Sequence, residues 1–318
     1  MGKDTNIEWC DSTINPTSGC DGCELFRPGR IDLATCYAAH LHTRRLSKSL
    51  PALYAPNFEE VRLIPGRMAQ AAAWPDLRGK PREYDYENVA VRKQLPAKPW
   101  LNGLPRMIFV GDLGDFLSRR VPADYFFGEI LSAILSPAGQ RHFWLLLTKR
   151  PDRLAFLTER LNGGLPDNCM AMTTVTNQAT ADIRLRHLLM VNCKWRGISA
   201  EPLLGPVTLP FGGHGTLPAL HYKKFGKDGM LESVLWADIH WVICGGESKT
   251  GEAKPTPMKP GWAQALRDQC QVAGVPFFFK QWGEYVPAED CDVMRRAGKA
   301  ASGRLLDGRE WNGMPAIL

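Results

Sequence analysis

The sequence predicts an α/β protein built on a parallel (β/α) barrel, closed or nearly closed, of about eight strands. Three observations lead there. Short runs that are apolar throughout alternate with amphipathic stretches of helical length, the pattern of a parallel sheet covered by helices. Eight such runs, spread over roughly 280 residues, suit one barrel domain. Polar residues gather directly after the apolar runs, and in a barrel those positions share the mouth at the C-terminal ends of the strands. An open doubly wound sheet is the alternative, because counting strands does not separate the two.

Residues 7–14 are rich in strand formers and are broken by Asn15-Pro16-Thr17-Ser18-Gly19, so a first strand ends in a loop. A helix follows from near Cys36, with Tyr37, Ala38, Leu41 and Leu46 as its apolar stripe. Residues 50–86, dense in Pro, Arg and Ala, read as an irregular insertion with a short helix near 67–74. A weak strand at 88–92 precedes a strong one at 106–110, which ends in Gly111-Asp112-Leu113-Gly114-Asp115. Phe126, Phe127, Ile130, Leu131 and Ile134 fall at helical spacing and give a helix over 122–135 with Pro122 near its first turn. Strand 142–147 stops at Thr148-Lys149-Arg150 and leads to helix 151–161. Strand 169–175 ends in Thr176-Asn177 before helix 178–190. The last strands, 194–200, 240–244 and 275–280, end in Glu201-Pro202, Gly245-Gly246-Glu247-Ser248 and Gln281-Trp282-Gly283-Glu284, with helix 260–273 before the final one. Residues 1–285 are then the barrel domain, with a cysteine loop at 19–37 and insertions at 50–86 and 210–235. Residues 286–318 are a basic C-terminal extension.

Composition excludes little else. The 318 residues are 44% hydrophobic and 23% charged, ordinary for a soluble globular protein, and a formal charge of +6 is compatible with a phosphate-bearing partner without demanding one. The opening residues lack the apolar core of a signal peptide, and no segment approaches the apolar length that spans a bilayer. Met1-Gly2 opens like a myristoylation site, but Asn6 stands where that motif wants Ser or Thr. A cytoplasmic location is expected, and with it nine cysteines that are mostly thiols. The dispersed Cys169, Cys193, Cys244, Cys270 and Cys291 read as packing residues.

Cys20, Cys23 and Cys36 are different, because they are spaced Cys-x2-Cys-x12-Cys in a loop that Gly19 and Gly22 free to turn tightly. Such crowding in a chain without a secretory signal points to a soft metal centre. A structural zinc wants four protein ligands, for which Cys10 and His40 are the fourth candidates. An iron–sulfur cubane can be held by three thiolates and leave one iron open. Small buried hydrophobes are the plain alternative. Asp112, Asp115, Lys149, Asn177, Glu201 and Glu247 all follow strands and would meet at the barrel mouth, although each alone also reads as a solvated loop charge or helix start.

Several blocks together resemble a phage-associated family of radical S-adenosylmethionine-like proteins named for a three-cysteine motif. They are Ile7-Glu8-Trp9 with Asn15-Pro16 and Gly19-Cys20, Cys36-Tyr37-Ala38, Leu147-Thr148-Lys149-Arg150-Pro151, Glu201-Pro202-Leu203-Leu204-Gly205-Pro206, Gly245-Gly246-Glu247-Ser248, and Pro276-Phe277-Phe278-Phe279-Lys280-Gln281-Trp282-Gly283. The resemblance covers most of residues 6–285. It implies a [4Fe–4S] cluster on Cys20, Cys23 and Cys36, with S-adenosylmethionine on the open iron. One electron, from a donor such as flavodoxin or ferredoxin, would then release methionine and a 5′-deoxyadenosyl radical that takes hydrogen from substrate. This chain departs from the family in placing the Cys-x2-Cys pair before the long gap, and from the wider superfamily in placing Gly-Gly-Glu late. For the cofactor, Lys149 is the expected carboxylate partner, Asp115, Glu201 and Glu247 compete as acceptors for the amine and ribose, and Asn15 and Asn177 add hydrogen bonds.

The phage association implies a substrate in nucleic acid, such as the side chain of a modified base in DNA. The basic residues His214, His221, Lys223, Lys224 and Lys227 in the 211–233 segment, and Arg295, Arg296, Lys299, Arg304 and Arg309 in the tail, are candidates to cover the site or to contact phosphates. Two other classes compete. One is a radical enzyme on a free small molecule. The other is a non-enzymatic zinc module using Cys20, Cys23, Cys36 and His40.

Overall fold

The computed structural model describes residues 2–83, 97–209, 222–225, 231–234, 239–288 and 291–317. Seven strands make one parallel sheet: β1 Ser12–Ile14, β2 Met107–Val110, β3 Phe143–Thr148, β4 Cys169–Thr174, β5 Trp195–Ala200, β6 Trp241–Gly245 and β7 Phe277–Gln281. They lie side by side in sequence order, each parallel to the next.

Sequential order without a switch point sends every crossover to the same face, so the sheet curls as a barrel does. The side-chain alternation shows the two faces. Ile108, Val110, Trp144, Leu146, Ala171 and Ile198 point outward and pack with the crossover helices Pro151–Thr158, Gln178–Met190 and Pro260–Ala273. Their neighbours Met107, Phe109, Leu145, Met172, Ile243 and Phe278 point to the concave side, into a second core with Trp9. A strand buried on both faces reads as continuously apolar, which is why these strands were visible in the sequence.

The barrel does not close. The sheet is an open half-barrel whose edges stand 16 Å apart, which corrects the expectation of a closed or nearly closed eight-stranded barrel. The strand expected at 88–92 lies outside the described residues, as does most of the segment expected at 210–235. In place of closing strands, other chain segments fill and flank the sheet. Trp9 packs tilted against Phe109 and meets Trp241 edge-on, Leu101 and Leu104 join it, and Met314 and Ile317 pack against the same core. At the β1 edge, Thr13 N donates to Gly2 O at 2.9 Å in an antiparallel bridge. At the β7 edge, Phe279 N donates to Trp311 O and Gly313 N to Phe277 O, so residues 311–313 add a short antiparallel run.

The basic tail is therefore largely part of the fold. Residues Tyr285–Ala288 and Cys291–Arg296 form a hairpin, Arg296 pairs with Glu284, Arg304 stacks over Trp100 and Phe278, and Arg309 covers Trp311. No helix among the described residues is long and apolar enough to cross a membrane.

The segment that carries Trp9 is held from below by one ammonium. Lys98 Nζ, in a residue only 5% exposed, donates to the carbonyls of Thr5, Ile7 and Cys10 at 2.6, 2.7 and 2.6 Å. Burial lowers the Lys98 pKa, while the negative groups around it, Asp11 and Glu8 among them, oppose that shift. Lys98→Met leaves three acceptors without their donor and is expected to cost about 2–3 kcal/mol, read as a lower urea midpoint with an unchanged slope.

Candidate functional site

A cavity of about 950 Å³ opens on the concave side at the C-terminal ends of the strands. Strand phase decides what lines it. Continuing the inward positions past Leu147, Ser199 and Phe278 gives Lys149, Glu201 and Lys280, and all three line the cavity. The cysteine loop after β1 supplies Cys20, Cys23 and Cys36 to the same wall.

The loop is shaped by its own backbone and clamped from outside. Gly19 has φ 81° and sits against the carbonyls of Phe58 and Glu60, where a side chain has no room, and Cys20 N donates to Phe58 O at 2.8 Å. Cys23 and Phe26 exchange backbone hydrogen bonds, and Cys36 N donates to Leu25 O before the helix Tyr37–Leu41. Arg184 pairs with Glu24 at 2.6 Å. Arg150 pairs with Asp21 and donates to Gly22 O at 2.9 Å.

Within the loop, Cys20 and Cys36 each have a cation beside them. Burial pushes the Cys20 pKa up to about 12, helped by Asp115 and opposed by Arg150. Burial also raises Cys36, against the pull of Lys149 and the backbone N–H groups of Ala39 and Ala38 at the helix start. For Lys149, burial acts to lower the pKa, but the sulfurs of Cys23 and Cys36 and the Glu24 carboxylate outweigh it and hold the ammonium above the usual lysine value.

The structure separates the three competing acceptors. Asp115 is filled: Oδ1 takes Leu117 N and Thr148 Oγ1, and Oδ2 takes Lys149 N and Arg150 Nη1, all between 2.8 and 3.0 Å. Glu201 is filled as well, by Lys280 Nζ at 2.8 Å, Trp9 Nε1 at 3.0 Å and Ser199 Oγ at 3.3 Å. Glu247, 5% exposed, accepts from Thr256 N through Oε2, while its Oε1 is buried without a partner. Lys149 Nζ has no hydrogen-bond or ion-pair partner among the described residues, so this ammonium and Glu247 Oε1 are both open to a ligand on the wall.

Two expected residues have other duties. Asn15 is fully buried, donates to Asp112 Oδ1 at 2.5 Å and accepts from Leu113 N, which fixes the loop after β2. Asn177 caps the helix Gln178–Met190 in a reciprocal capping box with Thr180. Neither lines the cavity. Among the lining residues that escaped the sequence argument as site groups are Arg150, Lys280 and Glu8, whose Oε2 is also buried without a partner. For Lys280 the signal was present, two residues beyond the inward Phe278. The Arg150 contacts join parts of the chain about 130 residues apart and leave no local trace.

The candidate fourth ligands stand aside. Cys10 is in the concave core and does not line the cavity. His40 also lies off the lining, its Nε2 is 2.7 Å from Ala34 O, and Gly251 packs directly on its ring. No group of three or more His, Cys, Asp or Glu among the described residues converges closely enough to hold a single metal ion. The donor set therefore does not suit a lone four-coordinate zinc. A cubane, being wider than one ion, takes its sulfurs farther apart and needs only three.

Fold and site define an open parallel half-barrel with a three-thiol cavity at its mouth. Over residues 4–315 the chain matches, and so belongs to, the family described as "Protein of unknown function (DUF5131)". No curated protein and no solved structure matches it.

Gly246 after β6 and Gly283 after β7 form a tight crossing. A Cβ on Gly246 would collide with the Trp282 carbonyl, and one on Gly283, at φ 88°, with the Glu247 carbonyl. Gly246→Ala is expected to cost about 3 kcal/mol or more. Gly261→Ala, in open space within helix Pro260–Ala273, should be neutral or stabilising by up to about 1 kcal/mol, with both read from thermal melts.

Proposed function

We propose that Cys20, Cys23 and Cys36 hold a [4Fe–4S] cluster and that the cavity binds S-adenosylmethionine beside it, making the chain a radical S-adenosylmethionine enzyme. One observation carries this reading: three thiols, a Lys149 ammonium unpaired among the described residues and the open Glu247 Oε1 line a single cavity. Held by Cys20, Cys23 and Cys36, the cluster would supply one-electron reduction of the sulfonium, its electron coming from a donor of flavodoxin or ferredoxin type.

The chain's own residues do the rest. Lys149 takes the methionyl carboxylate and balances the charge of Cys23 and Cys36. Glu247 Oε1 takes the methionyl amine, an acceptor otherwise costly to leave buried and unmet. Trp9, Glu201 and Lys280 form the rigid floor under the ligand, with both carboxylate oxygens of Glu201 accepting from groups inside the protein.

Anaerobic reconstitution tests the cofactor. Wild type should bind about four iron and four sulfide per chain, and Cys→Ala at position 20, 23 or 36 should lose them. A colourless protein with one zinc, or full iron in any of the three variants, overturns the assignment. Glu247→Gln and Lys149→Met should keep iron and sulfide and weaken S-adenosylmethionine binding roughly tenfold or more by calorimetry.

For substrate we propose a modified base in DNA, in the cytoplasm of a bacterial or phage-infected cell. Support comes from the family resemblance and from Arg45, Lys249 and Lys299, which line the cavity as cations suited to phosphates. Filter binding should show duplex affinity that falls steeply with salt, and no binding at low salt overturns this substrate. A free small molecule that alone stimulates 5′-deoxyadenosine release would replace it.

A further inference from the structure

The Cys20 sulfur has a neighbour that neither the motif spacing nor the cavity lining explains. Arg150 Nη2 and Nη1 stand 3.9 and 4.0 Å from Cys20 Sγ. The guanidinium is not free to swing there by chance. Nη1 is fixed on Asp115 Oδ2 at 2.9 Å, and Nη2 is bonded to Asp21 and, at 2.9 Å, to Gly22 O. Asp115 is itself immobilised by Thr148 Oγ1 and two backbone N–H groups. Only about a tenth of the Arg150 side chain meets solvent. The geometry points to Arg150 as a positioning residue that donates N–H to the Cys20 sulfur, withdrawing charge from that ligand and raising the reduction potential of the cluster held there.

The inference rests on the proposed cluster and adds what that proposal does not contain. Cys23 and Cys36 share the point charge of Lys149, whereas Cys20 alone has a planar two-nitrogen donor at hydrogen-bonding range of sulfur. Donors to ligand sulfurs stabilise the more reduced, more negative state of an iron–sulfur centre. Lysine cannot reproduce the fork, since its single nitrogen cannot reach Asp115, Asp21 and the sulfur together. The three sulfurs are thus made unequal by the protein, Cys20 meeting a guanidinium fork and Cys23 and Cys36 an ammonium.

Midpoint potentials of reconstituted wild type, Arg150→Lys and Arg150→Gln, followed by electron paramagnetic resonance with iron and sulfide assayed on the same samples, test this. The expected result is a midpoint more negative than wild type in both variants at equal loading, and further negative in Arg150→Gln. Should Arg150→Gln fail to load, because Arg150 also ties Asp21 and Gly22, Arg150→Lys decides. A fully loaded variant with the wild-type midpoint overturns the role of Arg150 and leaves the cofactor assignment standing. Wild type without iron and sulfide overturns the cofactor assignment itself, and this inference with it.

Discussion

One carboxylate joins the parts of the site. Asp115, from the loop after β2, takes four donors drawn from its own turn, from the end of β3 and from Arg150. Through Arg150 it reaches the cysteine loop after β1, so three successive strand ends are tied at one point. A buried carboxylate is tolerable only when its lone pairs are met, and here they are met by groups that must all be in register. The cavity wall inherits its shape from that requirement, and the same saturation removes Asp115 from the groups open to a ligand.

A second network does the equivalent work across the cavity. Trp9 reaches Glu201 across 192 positions of sequence, and Lys280 completes the set from the last strand. Glu201 holds Lys280 charged despite its burial. Gly245 leaves the space that the Glu201 side chain occupies. The two halves of the wall are therefore preorganised by internal pairs, and Lys149 and Glu247 are among the lining groups with capacity to spare.

Strands and crossover helices were legible because each writes its own pattern. Phe143 to Thr148 is apolar on both faces, and Asn177 before Gln178 announces a helix start. Barrel closure was not legible, since it depends on whether the first and last strands pair, and no strand's own residues encode that. The ordering of acceptors was equally hidden. Glu201 and Glu247 look alike in sequence, each following a strand and a turn. What distinguishes them is a tryptophan and a lysine brought from the two ends of the chain to one carboxylate and not to the other. Asn15 and Asn177 misled for the complementary reason: polar residues after strands serve the backbone as often as a ligand.

The short antiparallel run of residues 311–313 along β7 has a bearing on how the chain behaves when damaged. An exposed sheet edge offers a row of unsatisfied amides and carbonyls to any other extended polypeptide. Loss of those last residues to a protease would bare Phe277 and Phe279 backbone groups beside an aromatic surface of Phe278, Trp241 and Trp100. The trimmed molecules would then find each other as partners, and clipping near the carboxyl end becomes a route to precipitation.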